Sequence, residues 1–503
     1  MMIGVSRRNI CSHKFKLAVR WQTTGSQTGA LSGTVQKFLG LNGIVHSEAD
    51  YYSDVQEGIL SHLERRGLVS QVTGEVLGEL VEKKKLGLYC GADPTARSLH
   101  LGNLLPLMIL LHFNLRGHNI TALVGGATGA VGDPSGRATE RTAMATDTRL
   151  SNVDRIQLQL RRFFENGLDY SYSRNICFKS DQSGIQSFRN NHNWWKDVSL
   201  IQFLAEYGGM IRVNQMLSRD SIRSRLESEA GIGFNEFTYQ ILQAYDFYHL
   251  HANENVSIQV GGNDQYGNIV AGIDLISRIS KSRGEKNPKP AFGMTVPLLT
   301  TASGEKFGKS AGNAVFIDKE LTSGYNLYQF MVNTADADVQ KFLYKFSLLP
   351  LKVIDAVIAK HDQDRSQRIA QRLLAIEVCD LIHGDGEGFS NMVISDLLFG
   401  NRDTSFSVNE IADAFERQNL LIHISGEQFG SLSVLALLEK LYFGEKSRSE
   451  LKKLINAGAV YVGLEKERAK DPSAVLERRH LVEDQVLLIR VGKKDYKVVK
   501  VSA

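Results

Sequence analysis

The sequence is poor in cysteine and has no membrane-length apolar run. Its four cysteines, Cys11, Cys90, Cys177 and Cys379, are scattered and form no Cys-x-x-Cys pair. That scatter argues against a disulfide framework or a structural zinc site and implies a reducing compartment. No apolar stretch approaches the roughly 20 residues that span a bilayer, so a transmembrane protein is excluded. Internal repeats are missing, and so is low-complexity sequence beyond the N-terminal arm. Acidic residues are absent before Glu48, while Arg7, Arg8, Lys14, Lys16, Arg20 and Lys37 give that stretch a charge of +6.

A basic, Ser/Thr/Gln-bearing arm without acids reads as a mitochondrial transit peptide over 1–47, or as a disordered arm. A secretory signal fits less well, because no uninterrupted apolar segment follows the first charges. The whole chain has 503 residues, 43% apolar and 23% charged. That length suggests about two to four domains. Net charge is +4, yet residues 446–503 alone hold 14 basic and 8 acidic residues. Basic ends therefore flank an acidic body.

Past the arm, Val55, Ile59, Leu60, Leu63 and Leu68 predict helix across 52–84. Three short apolar strands then each run into a glycine-rich turn. Leu86–Cys90 precedes Gly91-Ala92-Asp93-Pro94-Thr95, Ile120–Val124 precedes Gly125-Gly126-Ala127-Thr128-Gly129, and Val256–Val260 precedes Gly261-Gly262-Asn263-Asp264-Gln265. Strands alternating with helices predict an α/β fold, a Rossmann-like parallel sheet flanked by helices. Ligands bind beyond the carboxyl ends of such strands, where these turns lie.

The expected organisation is a catalytic domain over 48–325 with a mostly helical insertion at about 140–255. A helical domain follows over 326–428, then a small α/β unit over 429–503.

Two motifs carry phosphate chemistry. In Asp93-Pro94-Thr95-Ala96-Arg97-Ser98-Leu99-His100-Leu101-Gly102-Asn103 a strand ends and a helix opens near Gly102. The free N–H groups of that helix start suit phosphate oxygens, and His100 can donate as charge builds on them. In Gly304-Glu305-Lys306-Phe307-Gly308-Lys309-Ser310 two lysines sit on a glycine-rich loop. Closed over a triphosphate, they would neutralise departing pyrophosphate in the transition state. A helix-start histidine is ordinarily structural, and loop lysines are ordinarily solvated; order and spacing make the pair informative.

A third set lies on a helix reading Asn235-Glu236-Phe237-Thr238-Tyr239-Gln240-Ile241-Leu242-Gln243-Ala244-Tyr245-Asp246-Phe247. Tyr239, Gln243 and Asp246 are spaced i, i+4, i+7 and share one face. A phenol, an amide and a carboxylate beside aromatic rings suit a phenolic, zwitterionic amino acid.

The first two motifs resemble the His-Ile-Gly-His and Lys-Met-Ser-Lys-Ser pair of class I aminoacyl-tRNA synthetases. Asn103 replaces the second histidine and Phe307-Gly308 replaces Met-Ser. With the third set, and with Leu88 to Thr95, Gly125 to Arg137 and Gln259 to Asn268, the chain resembles tyrosyl-tRNA synthetases of the mitochondrial and bacterial branch. The similarity runs over about 85–345 and more weakly to the end.

The resemblance implies that Tyr89 and Asp246 hold the phenol hydroxyl of L-tyrosine. Tyr239, Gln243 and Asp133 would take its ammonium, with Gln259 nearby. Gly91, Asp93, His100, Gly102 and Asn103 would contact ATP, and Gly262 and Asp264 its ribose. Gln265 would approach the α-phosphate, and Lys306 and Lys309 the pyrophosphate. Arg137 stands where many bacterial members have lysine. ATP is then a substrate accompanied by Mg2+, with no tightly bound cofactor, no dedicated metal ligands and no side chain acting as covalent nucleophile.

The basic segment from Ser447 to Val462 resembles the S-four-type RNA-binding fold. Its helix would end at Gly458, and strand 485–491 with Lys493, Lys494, Lys497 and Lys500 would extend a surface for tRNA(Tyr). The resemblance also implies a homodimer formed through the insertion after Arg137. The rival readings fit less well: Tyr89 with Asp246 argues against a tryptophanyl-tRNA synthetase, the length and basic C-terminal segment against a small nucleotidyltransferase, and His100, Lys306, Lys309, Asp246 and Gln265 against a non-catalytic RNA-binding protein on a synthetase scaffold.

Overall fold

The structure is a computed structural model that describes residues 33–41, 57–135, 144–174, 183–227, 231–305, 307, 309–310, 313–399, 406–492 and 495–502. Its centre is a six-stranded sheet. In chain order the strands are β1 (Gln71–Val72), β2 (Gly87–Ala92), β3 (Asn119–Val124), β4 (Gln186–Asn190), β5 (Val256–Gly262) and β6 (Phe292–Val296). Across the sheet the order is β1-β6-β5-β2-β3-β4. All neighbours are parallel except β1, which runs against β6. The inner strands are buried along most of their length and so read as continuous apolar runs rather than alternating ones.

The chain steps outward from β2 to β3 to β4 and then returns to lay β5 on the other side of β2. That reversal opens a crevice between the carboxyl ends of β2 and β5. Beneath it runs helix Leu104–Leu115, buried at nearly every position and packed on β2, β3 and β5. A helix apolar on all sides belongs in a core.

The structure corrects several sequence expectations. The helix expected across 52–84 is two helices, Ile59–Arg65 and Leu77–Lys83, separated by β1. Gly67 at φ +65° ends the first, a left-handed turn that glycine adopts without strain. The insertion contains β4, an edge strand whose Gln-Ser-Phe-Arg-Asn sequence carries no apolar alternation. The strands β6 and β1 also complete the sheet beyond the three expected.

Residues 33–41 of the expected arm are part of the described fold. Helix Gly33–Phe38 and the residues after it belong to the fold, with Val35, Leu39 and Leu41 buried. The Phe38 ring lies 5.6 Å from Phe389 and 4.8 Å from Phe406, and Lys360 donates to the Gly40 carbonyl. The rest of the expected transit peptide, 1–32 and 42–47, lies outside the described residues.

Among the described residues six α-helices follow, from Gly324–Val332 to Val408–Arg417. They share one continuous apolar core with the central sheet, including Leu104, Leu327, Phe342 and Leu373. Strands β7 (Lys309–Ser310) and β8 (Asn313–Ala314) form a small hairpin just before them.

The last unit begins at β9 (Leu421–Ser425) rather than at 429. It continues with β10 (Val460–Val462), β11 (Glu467–Ala469), β12 (Leu481–Val482), β13 (Val486–Val491) and β14 (Asp495–Ser502). The sheet order is β11-β10-β13-β14-β9, and β14 pairs in parallel with β9. A pairing across some seventy residues leaves no local trace in the sequence. One face of this sheet covers the helices Val434–Leu441 and Arg448–Asn456 through Leu487, Ile489 and Val499. Val486, Leu488 and Val498 on the other face join the main core.

Candidate active site

A cavity of about 750 Å³ occupies the crevice at the carboxyl ends of β2 and β5. It is lined by Tyr89, Gly91, Asp93, His100, Gly102, Asn103, Asp133, Tyr239, Gln243, Asp246, Gln259, Gly262, Asp264 and Gln265. Sequence reasoning had named all of these. Lys306 and Arg137 lie outside the described residues, and Lys309 is placed by its backbone in β7.

At the floor, Asp246 is buried and ringed by donors. Its Oδ1 accepts from the indoles of Trp194 at 2.8 Å and Trp195 at 2.7 Å, and its Oδ2 accepts from the Asn191 amide at 2.9 Å. A carboxylate offers about four acceptor positions, so one remains, on Oδ2. Burial pushes the Asp246 carboxyl up to about 7, against the pull of those three hydrogen bonds toward ionisation. Close by, the fully buried Tyr89 hydroxyl has no hydrogen-bond partner among the described residues. Burial, and then the charge of Asp246, raises its pKa well above the usual phenol value, so it stays a neutral donor. An orphaned hydroxyl beside a carboxylate with one open acceptor position is a receptor for one hydroxyl group.

One turn and two turns back along helix Phe234–Glu254 lie Gln243 and Tyr239. The Tyr239 hydroxyl donates to Asp93 Oδ2 at 2.8 Å, and Thr128 donates to Asp93 Oδ1 at 2.9 Å. Burial, then the charges of Asp93 and Asp133, keep the Tyr239 phenol protonated. The Gln265 amide donates to Asp133 Oδ2 at 2.7 Å, and its carbonyl accepts from Gln243 at 3.3 Å and from Asn268 at 3.2 Å. Gln265 is thus engaged at the Asp133 end of the cavity. The carbonyl of Gln259, on β5 opposite Tyr89, is buried and has no partner among the described residues.

The approach of Asp93 depends on Gly125. A Cβ at that position would sit 2.0 Å from Asp93 Oδ1 and 2.4 Å from Thr128 Oγ1. The mouth is built by His100, which caps the short helical turn Leu101–Asn103. Its Nδ1 accepts from the Gly102 N–H at 3.1 Å, while Asn103 Oδ1 accepts from the His100 N–H at 3.0 Å. Nδ1 as acceptor puts the proton of the neutral ring on Nε2. Asn103, its carbonyl engaged, keeps its amide nitrogen as the donor end.

The segment after the lysine loop is sewn beside this turn. Leu101 N donates to Val315 O at 3.1 Å and Ile317 N to Leu99 O at 3.0 Å, flanking His100. Phe307, between the two lysines, is the loop's anchor, its ring 3.9 Å from Phe342 and 5.1 Å from Phe330. The two motifs, 200 residues apart in sequence, therefore meet at one mouth.

Four aspartates and no lysine or arginine line the cavity among the described residues. That field welcomes an ammonium group. A triphosphate entering here needs cations supplied from the rim. Cys90 also faces the cavity, but burial pushes its thiol up to about 12 and leaves it a poor nucleophile. Sequence reasoning missed Asn191, Trp194 and Trp195. The one available signal was composition: two of the chain's three tryptophans are adjacent.

The fold and site are those of a class I aminoacyl-tRNA synthetase: the family model described as "tRNA synthetases class I (W and Y)" matches residues 81–390. The chain is 47% identical over 472 residues to the mitochondrial tyrosine–tRNA ligase of Saccharomyces cerevisiae, covering 91% of this chain and 94% of that one. It is 38% identical to tyrosine–tRNA ligase 2 of Bacillus cereus, over 88% of this chain and 100% of that one. The C-terminally truncated mitochondrial tyrosyl-tRNA synthetase of Aspergillus nidulans superposes with a TM-score of 0.63 at 35% identity, over 70% of this chain and 99% of that one. The chain belongs to the tyrosine–tRNA ligase family.

Proposed function

We propose that the chain activates L-tyrosine with ATP, releasing pyrophosphate, and transfers the tyrosyl group to the 3′ end of tRNA(Tyr) for mitochondrial translation. The observation that carries the amino-acid assignment is the floor of the cavity: Asp246 with one open acceptor position beside the unpartnered Tyr89 hydroxyl. The tyrosine hydroxyl donates to Asp246 Oδ2 and accepts from Tyr89. Phenylalanine would leave both groups buried without a partner, at about 1–3 kcal/mol each. An indole N–H could satisfy the acid but not the Tyr89 donor.

Tyr239, Gln243 and Asp133 hold the ammonium group, with Gln259 beside them. The tyrosine carboxylate then attacks the α-phosphorus in line. An O–P bond forms, the bond to the bridging oxygen breaks, and pyrophosphate carries off the electron pair. No side chain becomes covalently attached, so catalysis is positioning plus charge stabilisation. Gly91, Asp93, His100, Gly102 and Asn103 bind ATP, with His100 Nε2 and the Asn103 amide as phosphate donors. Gly262 and Asp264 hold the ribose, and Gln265 turns toward the α-phosphate once tyrosine takes over its contacts.

Because the cavity itself is acidic, Lys306 and Lys309 would neutralise the departing pyrophosphate, and a divalent cation such as Mg2+ accompanying ATP would supply further positive charge. Among the described residues no group of three or more His, Cys, Asp or Glu could hold a metal by itself. The basic C-terminal unit contributes the tRNA surface, and the arm before Gly33 is the mitochondrial targeting segment. A homodimer forms through the insertion. In support, helix Leu200–Glu206 turns Leu200 and Ile201 outward, 70% and 76% exposed, with Leu204 and Val213 nearby in sequence.

Pyrophosphate exchange measured with tyrosine, tryptophan and phenylalanine in parallel tests this reading. Exchange with tyrosine alone supports it. Exchange with tryptophan overturns the pocket assignment, and silence with all three from folded, RNA-binding protein favours a non-catalytic role.

A further inference from the structure

In the last unit, helices Val434–Leu441 and Arg448–Asn456 bury Leu437, Leu438, Leu451 and Ile455 against the sheet. The chain turns between them at Tyr442-Phe443-Gly444, with Gly444 at φ +78°. The Tyr442 ring is fully buried, with Lys446 Nζ 4.4 Å and Lys497 Nζ 4.8 Å from its centre. The very next ring does the opposite. Phe443 is 90% exposed, more than any other large apolar side chain among the described residues.

Its surroundings are charged rather than apolar. Between 439 and 453 there are five basic residues, Lys440, Lys446, Arg448, Lys452 and Lys453, against three acids. Glu439 pairs with Arg448 at 3.1 Å, Glu445 with Lys497 at 3.0 Å and Lys446 with Asp495 at 3.0 Å, which leaves Lys440, Lys452 and Lys453 in no ion pair among the described residues. The third acid, Glu450, sits in the first turn of its helix, where it offsets the helix dipole. Arg448 and Lys452 are one turn apart on an exposed helix face. In this unit the only other exposed large apolar residues are Leu464 and Val475, on the loops after β10 and β11.

A protein partner would need a contiguous apolar patch with a depleted charge density. One projecting ring set among cations is instead what a nucleic-acid strand requires, with the ring for a base and the cations for its phosphates. We propose that Phe443 is a stacking platform for an unpaired base of the tRNA substrate, with Arg448 and Lys452 on the adjoining phosphates. This rests on the tRNA-charging function proposed above.

The test uses full-length protein and the variants F443A, F443L and F443W, each assayed for tyrosine-dependent pyrophosphate exchange without tRNA and for the KM of tRNA in aminoacylation. F443A raises that KM roughly 5- to 150-fold, the range for loss of one stacked base, while exchange stays at the wild-type rate. F443W restores the KM and F443L does not. A wild-type KM for F443A overturns the proposal, and so does full rescue by leucine, which would make the contact merely apolar. Failure of the wild-type protein to exchange with tyrosine would instead overturn the function on which the proposal rests.

Discussion

Replacing Asp246 by asparagine changes one atom, and the structure says what that atom does. In D246N the remaining carbonyl must face the two indoles, because Trp194 and Trp195 both donate to Oδ1. The new amide then meets the Asn191 amide donor, which now lies 2.9 Å from Oδ2. Asn191 cannot flip cheaply, since its carbonyl accepts from Ala127 N at 2.7 Å and its amide also donates to Thr128 at 3.0 Å. The variant therefore loses the charged acceptor for the substrate hydroxyl and gains a donor-donor conflict.

A hydrogen bond to a charged group contributes about 1.5–3 kcal/mol, so kcat/KM for tyrosine should fall roughly 10- to 150-fold. Phenylalanine makes no bond there, and its slow exchange should change little. The ratio of the two, measured by pyrophosphate exchange, is the decisive quantity. An equal fall for both amino acids, or an unchanged ratio, would refute the assigned role.

The pH dependence follows with its sign. The Asp246 carboxyl stands at about 7, above its ordinary 3.8. Tyrosine needs the ionised acceptor, so kcat/KM for tyrosine should climb as pH rises through about 7 and then level off. The D246N profile should lack that limb. The stability contribution runs the other way: a carboxyl whose pKa is raised on folding favours the folded state at low pH, and that contribution is lost as pH rises from about 4 to 7.

Three further outcomes are expected. G125A should displace Asp93 from Tyr239 and Thr128, costing about 1–3 kcal/mol by overpacking and lowering kcat/KM for both ATP and tyrosine about 5- to 150-fold. Retained activity in G125A would mean that Asp93 tolerates movement. Deleting residues 1–41 should lower the melting temperature by several degrees relative to deleting 1–32. The longer deletion removes Val35, Leu39 and Leu41, each worth about 1.5–3 kcal/mol of burial, and equal melting by differential scanning calorimetry would count against a structural role for that helix. If the proposed homodimer forms through this helix, aspartate at both Leu200 and Ile201 should shift sedimentation equilibrium toward monomer; an unshifted profile would count against that interface.

Much of the site was legible because its chemistry is written in short contiguous runs. Strand ends with Gly91 to Asp93 and Gly261 to Asp264 announce a parallel sheet and its ligand edge. The i, i+4, i+7 spacing of Tyr239, Gln243 and Asp246 fixes a shared helix face before any packing is known. The residues that could be named from sequence were those whose role depends on local backbone geometry. Charge segregation likewise marked the basic ends from composition alone.

What remained hidden depends on contacts between distant segments. Nothing near Asn191, Trp194 and Trp195 announces that they converge on Asp246, more than 50 residues later, because side-chain hydrogen bonding across a fold has no sequence period. The parallel pairing of β9 with β14 and the addition of β4 at the sheet edge are invisible for the same reason. Composition made the arm look dispensable to residue 47. Only the burial of Val35, Leu39 and Leu41 and the packing of Phe38 on Phe389 and Phe406 show that residues 33–41 belong to the core. The sequence alone determined which groups could do the chemistry; the tertiary structure decided which hydroxyl is left without a partner and which carboxylate keeps one position open, because those are properties of packing and not of order along the chain.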